Sequence, residues 1–484
     1  TELRSQLSGK QGGSLLMRIR VFGHYVHLSM AVLTLIEAVL FFLALYIAAF
    51  VRFRAYGDLA RVAEMTGALW PRALLFSAVT VLCLLALGLY SVRQRARFTG
   101  VLVRVGAALL ISFAITATIF YMVPVVWIGR GVMGLATFGA ACGIGVSRLI
   151  FALVVDEETF KKRVLVYGVG NAAGAIVRLR RRSDRRGFRI VGFVQATGEE
   201  RLVPSDQLVR ADDGLARACE RLEIAEIVVA MDDRRRGFPV AELLECRMAG
   251  IEITELLTFL ERETGRVRVD VLNPSWIIFS DGFRRDHLRQ LSSRAMDMLA
   301  SLVVLLVSLP VMALTALAIK VEEGWRAPVF YRQSRVGFGG RDFDVLKFRS
   351  MRCDAEGDGR AQWALKQDPR ITHVGAVIRK LRIDELPQIV NVLRGEMAFV
   401  GPRPERPQFV EELAHNIPDY RQRLCVKPGI TGWAQLCYPY GWCERDAVEK
   451  LQYDLYYVKN KGLLFDLSIL LQTAEVVLLG KGAR

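Results

Sequence analysis

Two adjacent carboxylates, Asp384 and Glu385, lie in a stretch of the chain that is crowded with arginine and lysine. Basic residues flank the pair on both sides, and a Pro-Arg-Pro segment that contains Arg403 follows one predicted helix downstream. Arginine and lysine bind phosphate groups, while a carboxylate among them can attack phosphorus and a neighbouring carboxylate can hold Mg²⁺. Residues 381–405 could therefore form a phosphate-transfer site.

The same dipeptide also has a purely structural interpretation. Pro387 is tolerated only in the first turn of a helix, and an apolar pattern follows it, so Asp384 is expected at or near the N-cap. Aspartate is a common N-cap, and Glu385 could form an ordinary surface ion pair. Taken alone, the dipeptide favours this structural interpretation, and the wider sequence has to decide.

Four short motifs place the pair in a wider pattern. In chain order they are Lys-Phe-Arg-Ser-Met (347–351), Asp-Glu-Leu-Pro-Gln (384–388), Val-Gly-Pro-Arg-Pro (400–404) and Lys-Pro-Gly-Ile-Thr-Gly-Trp (427–433). Their order and spacing resemble those of the monotopic phosphoglycosyl transferases, the bacterial polyprenyl-phosphate hexose-1-phosphate transferases. The resemblance extends from about Arg289 to the end of the chain, and four motifs together are a specific signal.

The resemblance implies a reaction. It would transfer hexose-1-phosphate from a UDP-hexose to undecaprenyl phosphate through a covalent aspartyl intermediate, as the first membrane step of exopolysaccharide or O-antigen synthesis. Position by position, it implies that Asp384 is the nucleophile and that Glu385 is the ligand of Mg²⁺. The active-site positions of the family are also matched by Lys347, Arg379 and Arg403. A homodimer is implied as well.

Two further residues are candidates for binding the substrate phosphates. Arg349 follows Lys347 on a predicted strand, and two cations that alternate on one strand face can point at the same anion. An exposed edge strand with protective charges is the alternative. Asp454, in a helical pattern near the C-terminus, is a further carboxylate that could lie in the site.

The composition indicates a membrane protein of several domains. The chain has 484 residues, of which 52% are hydrophobic, and its mean hydropathy is positive; both values are too high for an ordinary soluble enzyme. With this apolar content, the net charge of +16 favours anionic lipid or phosphorylated substrates over nucleic acid. Eight cysteines without a Cys-x-x-Cys pair indicate neither a zinc site nor a disulfide framework.

The first part of the chain is predicted to form a four-helix transmembrane region over residues 17–160. We expect residues 1–16 to be a leader ahead of a natural start at Met17. Apolar stretches long enough to span a bilayer occur at 27–51, 71–91, 101–124 and 127–155. The even number of spans and the basic residues around Arg18, Arg93 and Lys161 place the rest of the chain in the cytoplasm, at the inner membrane. Arginines in the first external loop argue against this topology.

Residues 161–260 are predicted to form a Rossmann-like α/β domain. A strand at 163–168, a glycine turn and a helix to about Arg182 follow one another, and further strands are predicted at 188–194, 225–231 and 251–254. Gly168, Gly170 and Gly174 could let the turn cradle a pyrophosphate. The second strand ends at Gln195, where a dinucleotide site would have an acidic residue for the ribose. The glycines could bind a nucleotide or could only allow close packing of helix and strand.

Residues 261–297 are predicted to form a linker. It has a hairpin around Asn273, with short strands at 267–271 and 276–279, and then a basic helix that includes Arg294 and lies on anionic lipid or in solvent. The catalytic domain follows at 298–484. Its first helix, 298–319, is long enough to span the bilayer, but a fifth span would carry Asp384 out of the cell. We therefore expect a re-entrant helix that breaks at Ser308 and Pro310, where the serine hydroxyl satisfies a freed carbonyl.

The predicted fold is thus a membrane bundle of four spans, a Rossmann-like α/β domain and an α/β catalytic domain with a re-entrant membrane helix. Two other functions stay open at this level. The middle domain could be a membrane-tethered, NAD-dependent enzyme that modifies nucleotide sugars, although its Tyr-x-x-x-Lys candidate, Tyr457 to Lys461, lies outside that domain. The four spans could also belong to a transporter subunit or a scaffold without catalytic activity.

Overall fold

The computed structural model of the chain describes residues 18–21, 24–54, 68–90, 98–123, 127–154, 161–179, 187–196, 198–233, 235, 237–271, 287–352, 370–438 and 443–478. The chain folds as two compact units, Thr1–Thr264 and Gly265–Arg484. We refer to them as the N-terminal unit and the C-terminal unit.

The N-terminal unit begins with a short antiparallel hairpin and a bundle of four apolar helices. The hairpin strands are β1 (Arg18–Val21) and β2 (His24–His27). The helices are α1 (Leu28–Arg54), α2 (Trp70–Ala86), α3 (Phe98–Met122) and α4 (Arg130–Val154). Each helix packs on its neighbours in the chain, and α1 also packs on α4, which closes the bundle. Many leucine, isoleucine and phenylalanine side chains on its outer surface are exposed, as expected for a surface that faces lipid.

Four helical segments among the described residues are long and apolar enough to cross a membrane: Ala31–Phe53, Arg104–Met122, Arg130–Phe151 and Gln290–Glu323. Three of them lie in the bundle, where they match three of the four predicted spans. The predicted span at 71–91 is shorter than expected, because α2 has 17 residues and the chain then turns at Gly88, whose φ is +70°. Such a helix is about 26 Å long, slightly less than the hydrocarbon thickness of a bilayer.

A buried carboxylate joins three parts of the bundle. Glu37 on α1 is fully buried and accepts hydrogen bonds from Ser147 Oγ at 3.0 Å and Arg148 Nε at 3.3 Å, both on α4. It also accepts one from the hydroxyl of Tyr90. A charge inside an apolar bundle is stable only with such partners.

We expect Glu37→Leu to destabilise the bundle by about 1–3 kcal/mol, because Arg148, Ser147 and Tyr90 would lose their buried acceptor. Glu37→Gln keeps an acceptor oxygen and should lose less. The apparent melting temperature of the detergent-solubilised protein measures both effects. Thr118→Ala, which removes only a hydrogen bond to the carbonyl of Ala114 within its own helix, is the control, and an equal loss there would contradict the prediction.

The N-terminal unit continues with a four-stranded parallel sheet. The strands are β3 (Lys162–Tyr167), β4 (Phe188–Val194), β5 (Glu226–Val229) and β6 (Glu252–Glu255), in the order β4-β3-β5-β6. The helices are α5 (Asn171–Val177), α6 (Leu215–Arg221), α7 (Val240–Met248) and α8 (Leu256–Thr264). The side chains of β3 and β5 are nearly all buried, as expected for parallel strands covered by helices. The strands lie within two residues of their predicted positions, whereas α5 ends at Val177 and not near Arg182.

The C-terminal unit is an α/β domain built on one long helix and two small sheets. The long helix is α9 (His287–Glu323). The antiparallel strands are β7 (Phe330–Val336) and β8 (Asp342–Phe348), and the parallel strands are β9 (Ala398–Val400) and β10 (Gly429–Thr431). The remaining helices are α10 (His373–Lys380), α11 (Gln388–Arg394), α12 (Pro407–Asn416), α13 (Trp433–Cys437), α14 (Glu444–Asn460) and α15 (Leu463–Leu478).

The linker differs from its prediction. A strand was expected at 267–271, but residues Val269–Val271 form a 3₁₀ turn, and the rest of the predicted hairpin lies outside the described residues. Arg294, expected on a basic face toward lipid or solvent, instead donates to the carbonyls of Val392 and Leu393 at 2.6 and 2.7 Å. A cation at the C-terminus of α11 satisfies carbonyls that lack a partner within the helix.

Candidate active site

The two carboxylates lie in a tight reversal between two helices. Helix α10 ends at Lys380, and Arg382 then adopts a left-handed conformation with φ of 59°. A 3₁₀ turn, Ile383–Glu385, follows, and helix α11 has Pro387 as its N-cap. Asp384, expected at or near the N-cap, is therefore not the cap itself and lies three residues before Pro387. A non-glycine residue in this conformation costs about 1 kcal/mol or more, and such strain is concentrated at functional sites.

Asp384 has a carboxylate oxygen without a partner. Its Oδ1 is shielded from solvent and accepts no hydrogen bond among the described residues. Burial raises the pKa of Asp384, and the charge of Glu385 raises it further, while Lys347, Arg382 and Arg379 act in the opposite direction. A buried oxygen without a hydrogen-bond partner lowers the stability of a folded protein. A ligand that binds Asp384 Oδ1 would remove this cost.

Glu385 lies at the centre of three cations. Its Oε1 is 2.9 Å from a guanidinium nitrogen of Arg403, 3.4 Å from Nζ of Lys347 and 3.8 Å from a guanidinium nitrogen of Arg382. Burial alone would raise the pKa of Glu385, but Arg403, Lys347 and Arg382 together hold it well below its usual value. Burial lowers the pKa of Lys347, and Glu385 opposes that change. The turn therefore carries one ionised carboxylate and one that is easier to protonate.

The 427–433 motif positions Arg403. Strand β10 pairs with β9, and the amide of Gly429 donates to the carbonyl of Pro402 at 3.0 Å. A Cβ atom on Gly401 would collide with the carbonyl of Lys427, so glycine is required for this close approach. The motif whose role was least certain in the sequence thus fixes the backbone of the Pro-Arg-Pro segment.

Arg423 supports the backbone of the same segment. Its NH2 donates to the carbonyl of Arg403 at 2.9 Å and lies 2.8 Å from Asp454 Oδ2, while NH1 donates to the hydroxyl of Tyr420. Burial alone would lower the pKa of Arg423, but its neighbours, Tyr420 and Asp454 among them, raise it. Asp454 is thus placed as the counter-ion of Arg423; direct binding of substrate by Asp454 stays a prediction.

Arg335 on β7 is a second support that the sequence reasoning did not assign. It donates to the carbonyl of Pro404 at 3.1 Å and lies 3.6 Å from Glu405 Oε2. Burial and the nearby arginines lower the pKa of Arg335 to about 10, which leaves it charged at neutral pH. No sequence pattern predicted this contact, because it depends on the pairing of β7 with β8, the strand of Lys347.

Of the other two predicted phosphate ligands, Arg379 lies near the carboxylate pair and Arg349 does not contact it. Arg379 lies near enough to lower the pKa of Asp384. Arg349 donates through Nε to the carbonyl of Pro328 at 3.0 Å, a contact with the loop before β7 and not with the carboxylates. The structure therefore brings Lys347, Arg379 and Arg403 to the carboxylate pair.

Known bacterial proteins are similar to this chain. The bacterial sugar transferase family matches residues 288–480. An exopolysaccharide production protein of Rhizobium leguminosarum is 41% identical over 199 residues, which are 39% of this chain and 96% of that protein. The chain belongs to the bacterial sugar transferase family.

Two relatives of this sugar transferase carry informative names. A UDP-N-acetylgalactosamine-undecaprenyl-phosphate N-acetylgalactosaminephosphotransferase of Aeromonas hydrophila is 41% identical over 253 residues, 52% of this chain and 58% of the relative. An undecaprenyl-phosphate glucose phosphotransferase of Komagataeibacter xylinus is 41% identical over 198 residues, 40% of this chain and 37% of the relative. The matched part of the chain thus spans less than two thirds of either relative.

Helix α9 of the sugar transferase has its polar residues inside and its apolar residues outside. Asp297, Ser301, Ser308 and Thr315 are buried against the unit, whereas residues such as Val307 are exposed. The helix continues through Pro310, so the break expected at Ser308 and Pro310 is not present. The hydroxyl of Ser308 donates to Met312 Sδ at 3.5 Å. This contact replaces the expected hydrogen bond from the hydroxyl to a backbone carbonyl.

The glycine turn of the sheet domain holds the protein's own carboxylates. Asp232 Oδ2 accepts from the amide of Asn171 at 2.8 Å, and Oδ1 accepts from the amide of Ala172 at 2.7 Å. Glu199 accepts from the amides of Val169 and Asp232, both at 2.8 Å. These are the amides that a Rossmann turn offers to a pyrophosphate.

The glycines explain how the carboxylates fit. A Cβ atom on Gly170 would collide with the carboxylate of Asp232, and one on Gly168 would collide with the carbonyl of Ala230. Gly174 lies against Arg178. Of the two interpretations of these glycines, the geometry favours close packing over a bound nucleotide.

We expect NAD⁺ and NADP⁺ to leave the apparent melting temperature of the protein unchanged, because Asp232 already satisfies the amides they would need. Asp232→Ala should destabilise the sheet domain by about 1–2 kcal/mol, the usual cost of a lost cap. The adjacent Asp233→Ala, whose carboxylate accepts from the amide of Arg235 two residues on, is the matched control. Stabilisation of the wild type by either nucleotide would contradict this prediction.

The carboxylate pair could hold a magnesium ion only together with substrate phosphates. No group of three or more histidine, cysteine or acidic residues forms a metal site in the part of the chain that the structure describes. Mg²⁺ held between a protein and substrate phosphates needs only one or two carboxylates. The unpaired Asp384 Oδ1 beside Glu385 fits such a shared site, although the cations on Glu385 Oε1 would compete with the metal.

Proposed function

We propose that this chain transfers hexose-1-phosphate from a UDP-sugar to undecaprenyl phosphate and thereby starts the synthesis of an exopolysaccharide or O-antigen. The observation that carries the proposal is the unpaired, buried Oδ1 of Asp384, placed beside cations that suit a diphosphate. The names of the two relatives, which mention undecaprenyl phosphate with a sugar phosphate, support the same substrates.

In the first half-reaction, a carboxylate oxygen of Asp384 attacks the β-phosphorus of the UDP-sugar. The bond between that phosphorus and the bridging oxygen breaks, and UMP leaves with the oxygen and its electron pair. Asp384 then carries the sugar phosphate as an acyl phosphate. Arg403 and Lys347 lie where they can neutralise the phosphate oxygens while the bond forms.

In the second half-reaction, an oxygen of undecaprenyl phosphate attacks the same phosphorus. The bond to Asp384 breaks, the carboxylate is restored, and the product is undecaprenyl diphosphate-sugar. Glu385 keeps its charge throughout, because the three cations around it hold its pKa low. When bound, Mg²⁺ would be held by Asp384 and Glu385 with the substrate phosphates and would neutralise part of their charge.

Helix α9 supports a position of the site at the membrane surface. Arg294 and Asp297 in its N-terminal half bond to α11 and β9, and Ile319 in its C-terminal half packs on Ile378 of α10, so both halves lie against one domain. A helix that instead crossed to the other side of the bilayer would carry one end away from that domain. With the apolar face of α9 exposed, we propose that the helix enters and leaves the bilayer on one side; because it is continuous at Ser308 and Pro310, the proposed change of direction there is a bend within the helix. We place the domain at the cytoplasmic face of the inner membrane, as part of a homodimer.

The pH dependence of the first half-reaction should reflect Asp384. The attacking carboxylate must be ionised, and burial raises the pKa of Asp384, so activity should fall on the acidic side at a higher pH than for an ordinary aspartate. Lys347→Met removes a charge that lowers this pKa and should move the acid limb to still higher pH. The measurement is the rate of UMP release against pH; a limb that does not move in the variant would contradict the assignment.

The direct test is UMP release from a panel of UDP-sugars by the purified full chain in nanodiscs, with Mg²⁺ present. Without acceptor, a single-turnover burst of UMP is expected; with undecaprenyl phosphate, turnover should continue. Chelation of divalent cations should suppress both phases. If no UDP-sugar yields UMP under any of these conditions, the proposed function is wrong.

A further inference from the structure

A cavity of about 190 Å³ lies between helices α12 and α14 in the C-terminal unit. Its lining includes Phe409, Glu412 and Asn416 from α12 and Asp454 from α14, with Tyr420 and Arg423 between the two helices. Tyr420, Arg423 and Asp454 are each at most 5% exposed, so one side of the cavity is a fixed part of the fold. The reaction proposed above assigns no role to this cavity.

The cavity is connected to the carboxylate pair through two arginines. Arg423 lines the cavity and donates to the carbonyl of Arg403 at 2.9 Å. The guanidinium of Arg403 in turn donates to Glu385 Oε1 at 2.9 Å. A ligand in the cavity would therefore contact Arg423, which holds the backbone of Arg403, the proposed phosphate-binding residue.

The chemistry of the lining selects against phosphate and in favour of a neutral ring. Glu405, Glu412 and Glu444 line the cavity besides Asp454, and they outnumber the two cations in the lining, Arg423 and Lys450. Carboxylates repel phosphate and accept hydrogen bonds from hydroxyl and N–H groups, and Phe409 and Tyr420 offer aromatic surface. The volume is below the roughly 300 Å³ at which small-molecule pockets begin, so the cavity can take one part of a UDP-sugar but not the whole molecule.

Distance decides which part of the donor fits. An extended arginine reaches roughly 7 Å from its carbonyl to its guanidinium, given bond lengths near 1.5 Å. With the two hydrogen bonds, the path from Glu385 to the cavity is up to about 13 Å. The hexose is bonded to the phosphate that Asp384 attacks and must stay close to it, whereas the uridine lies beyond a second phosphate.

We infer that the cavity between α12 and α14 binds the uridine of the donor, while the diphosphate lies on Arg403 and Lys347. This inference rests on the proposed function. It gives the enzyme a nucleoside subsite that is shared by donors with different sugars. It also couples donor binding to the position of Arg403, because Arg423 contacts both the cavity and that backbone.

The test fills the cavity. Ala447 on α14 lines it, whereas Arg445, two residues away on the same helix, is exposed and does not. We expect Ala447→Phe to weaken UMP binding to the full chain at least tenfold by calorimetry and to raise the KM for UDP-sugar by a similar factor. The rate at which preformed aspartyl intermediate reacts with undecaprenyl phosphate should not change. Arg445→Phe should leave all three quantities unchanged.

The outcomes separate this inference from the proposed function. If Ala447→Phe is unstable, Asn416→Ala at the edge of the cavity replaces it and should weaken UMP binding several-fold. Unchanged UMP affinity in a folded Ala447→Phe variant would overturn the inference, and so would a change confined to inhibition by hexose-1-phosphate. A wild-type chain that binds UMP in the cavity but never releases UMP from a UDP-sugar would refute the proposed function while supporting the subsite.

Discussion

Asp384→Asn is expected to abolish turnover and the covalent intermediate together, with the fold intact. The amide has the shape of the carboxylate but cannot displace UMP from phosphorus. Loss of a covalent nucleophile typically costs several powers of ten in rate, and we expect at least about 10⁴-fold here. The measurements are the UMP burst without acceptor and intact-protein mass spectrometry after incubation with UDP-sugar.

The control for this variant is an amide substitution elsewhere in the same unit. Asp342 on β8 is exposed, and Asp342→Asn should keep both the burst and the adduct. Glu385→Gln is informative in another way. It keeps the nucleophile but leaves Lys347, Arg382 and Arg403 without their central charge, so it should slow the burst without preventing the adduct. An adduct of the sugar phosphate on any residue other than Asp384 would contradict the mechanism.

The reactive residues of this site could be recognised in the sequence, but the residues that hold their backbone in place could not. Asp384, Glu385 and Arg403 lie within 20 residues of one another, and short motifs could identify them. Arg423 and Arg335 act on the backbone carbonyls of Arg403 and Pro404. Since every residue has a backbone carbonyl, no pattern of residue types predicts these contacts.

The local geometry of the carboxylate turn was predicted less well than its composition. Pro387 indicated a helix start correctly, but the left-handed conformation of Arg382 moves Asp384 into a separate 3₁₀ turn. Sequence patterns predict left-handed residues mainly at glycine, asparagine and aspartate. An arginine in that conformation is imposed by tertiary contacts, which a local pattern does not contain.

The sheet domain shows a related limit. The strand, the glycine turn and the helix were predicted from local patterns, and the missing acidic residue at Gln195 already counted against a dinucleotide. The carboxylates that fill the turn, Asp232 and Glu199, lie 61 and 28 residues from Asn171 along the chain. Only the fold brings them to the amides, so the sequence left the function of the turn undecided.

The second large effect concerns the buried pair of Arg423 and Asp454, which are 5% and 2% exposed. Asp454→Ala leaves a buried guanidinium without its counter-ion, a change that typically costs about 3–5 kcal/mol. In a unit of this size that corresponds to a decrease of roughly 10 °C in melting temperature. The pair of Arg268 and Asp270, whose side chains are 12% and 47% exposed, is the control; because solvent screens the half-exposed carboxylate, Asp270→Ala should cost less than Asp454→Ala.

A double variant separates stability from catalysis at this pair. Arg423→Met with Asp454→Leu replaces two buried charges by apolar groups of similar length, which often restores stability. The carbonyl of Arg403 would still lack the donor that Arg423 supplies at 2.9 Å, so the Pro-Arg-Pro segment would remain poorly held. We therefore expect the melting temperature of the double variant to recover while the rate of the UMP burst stays at least about tenfold below wild type. Recovery of both quantities would show that Arg423 serves only the fold, and recovery of neither would show that the charges themselves are required for folding.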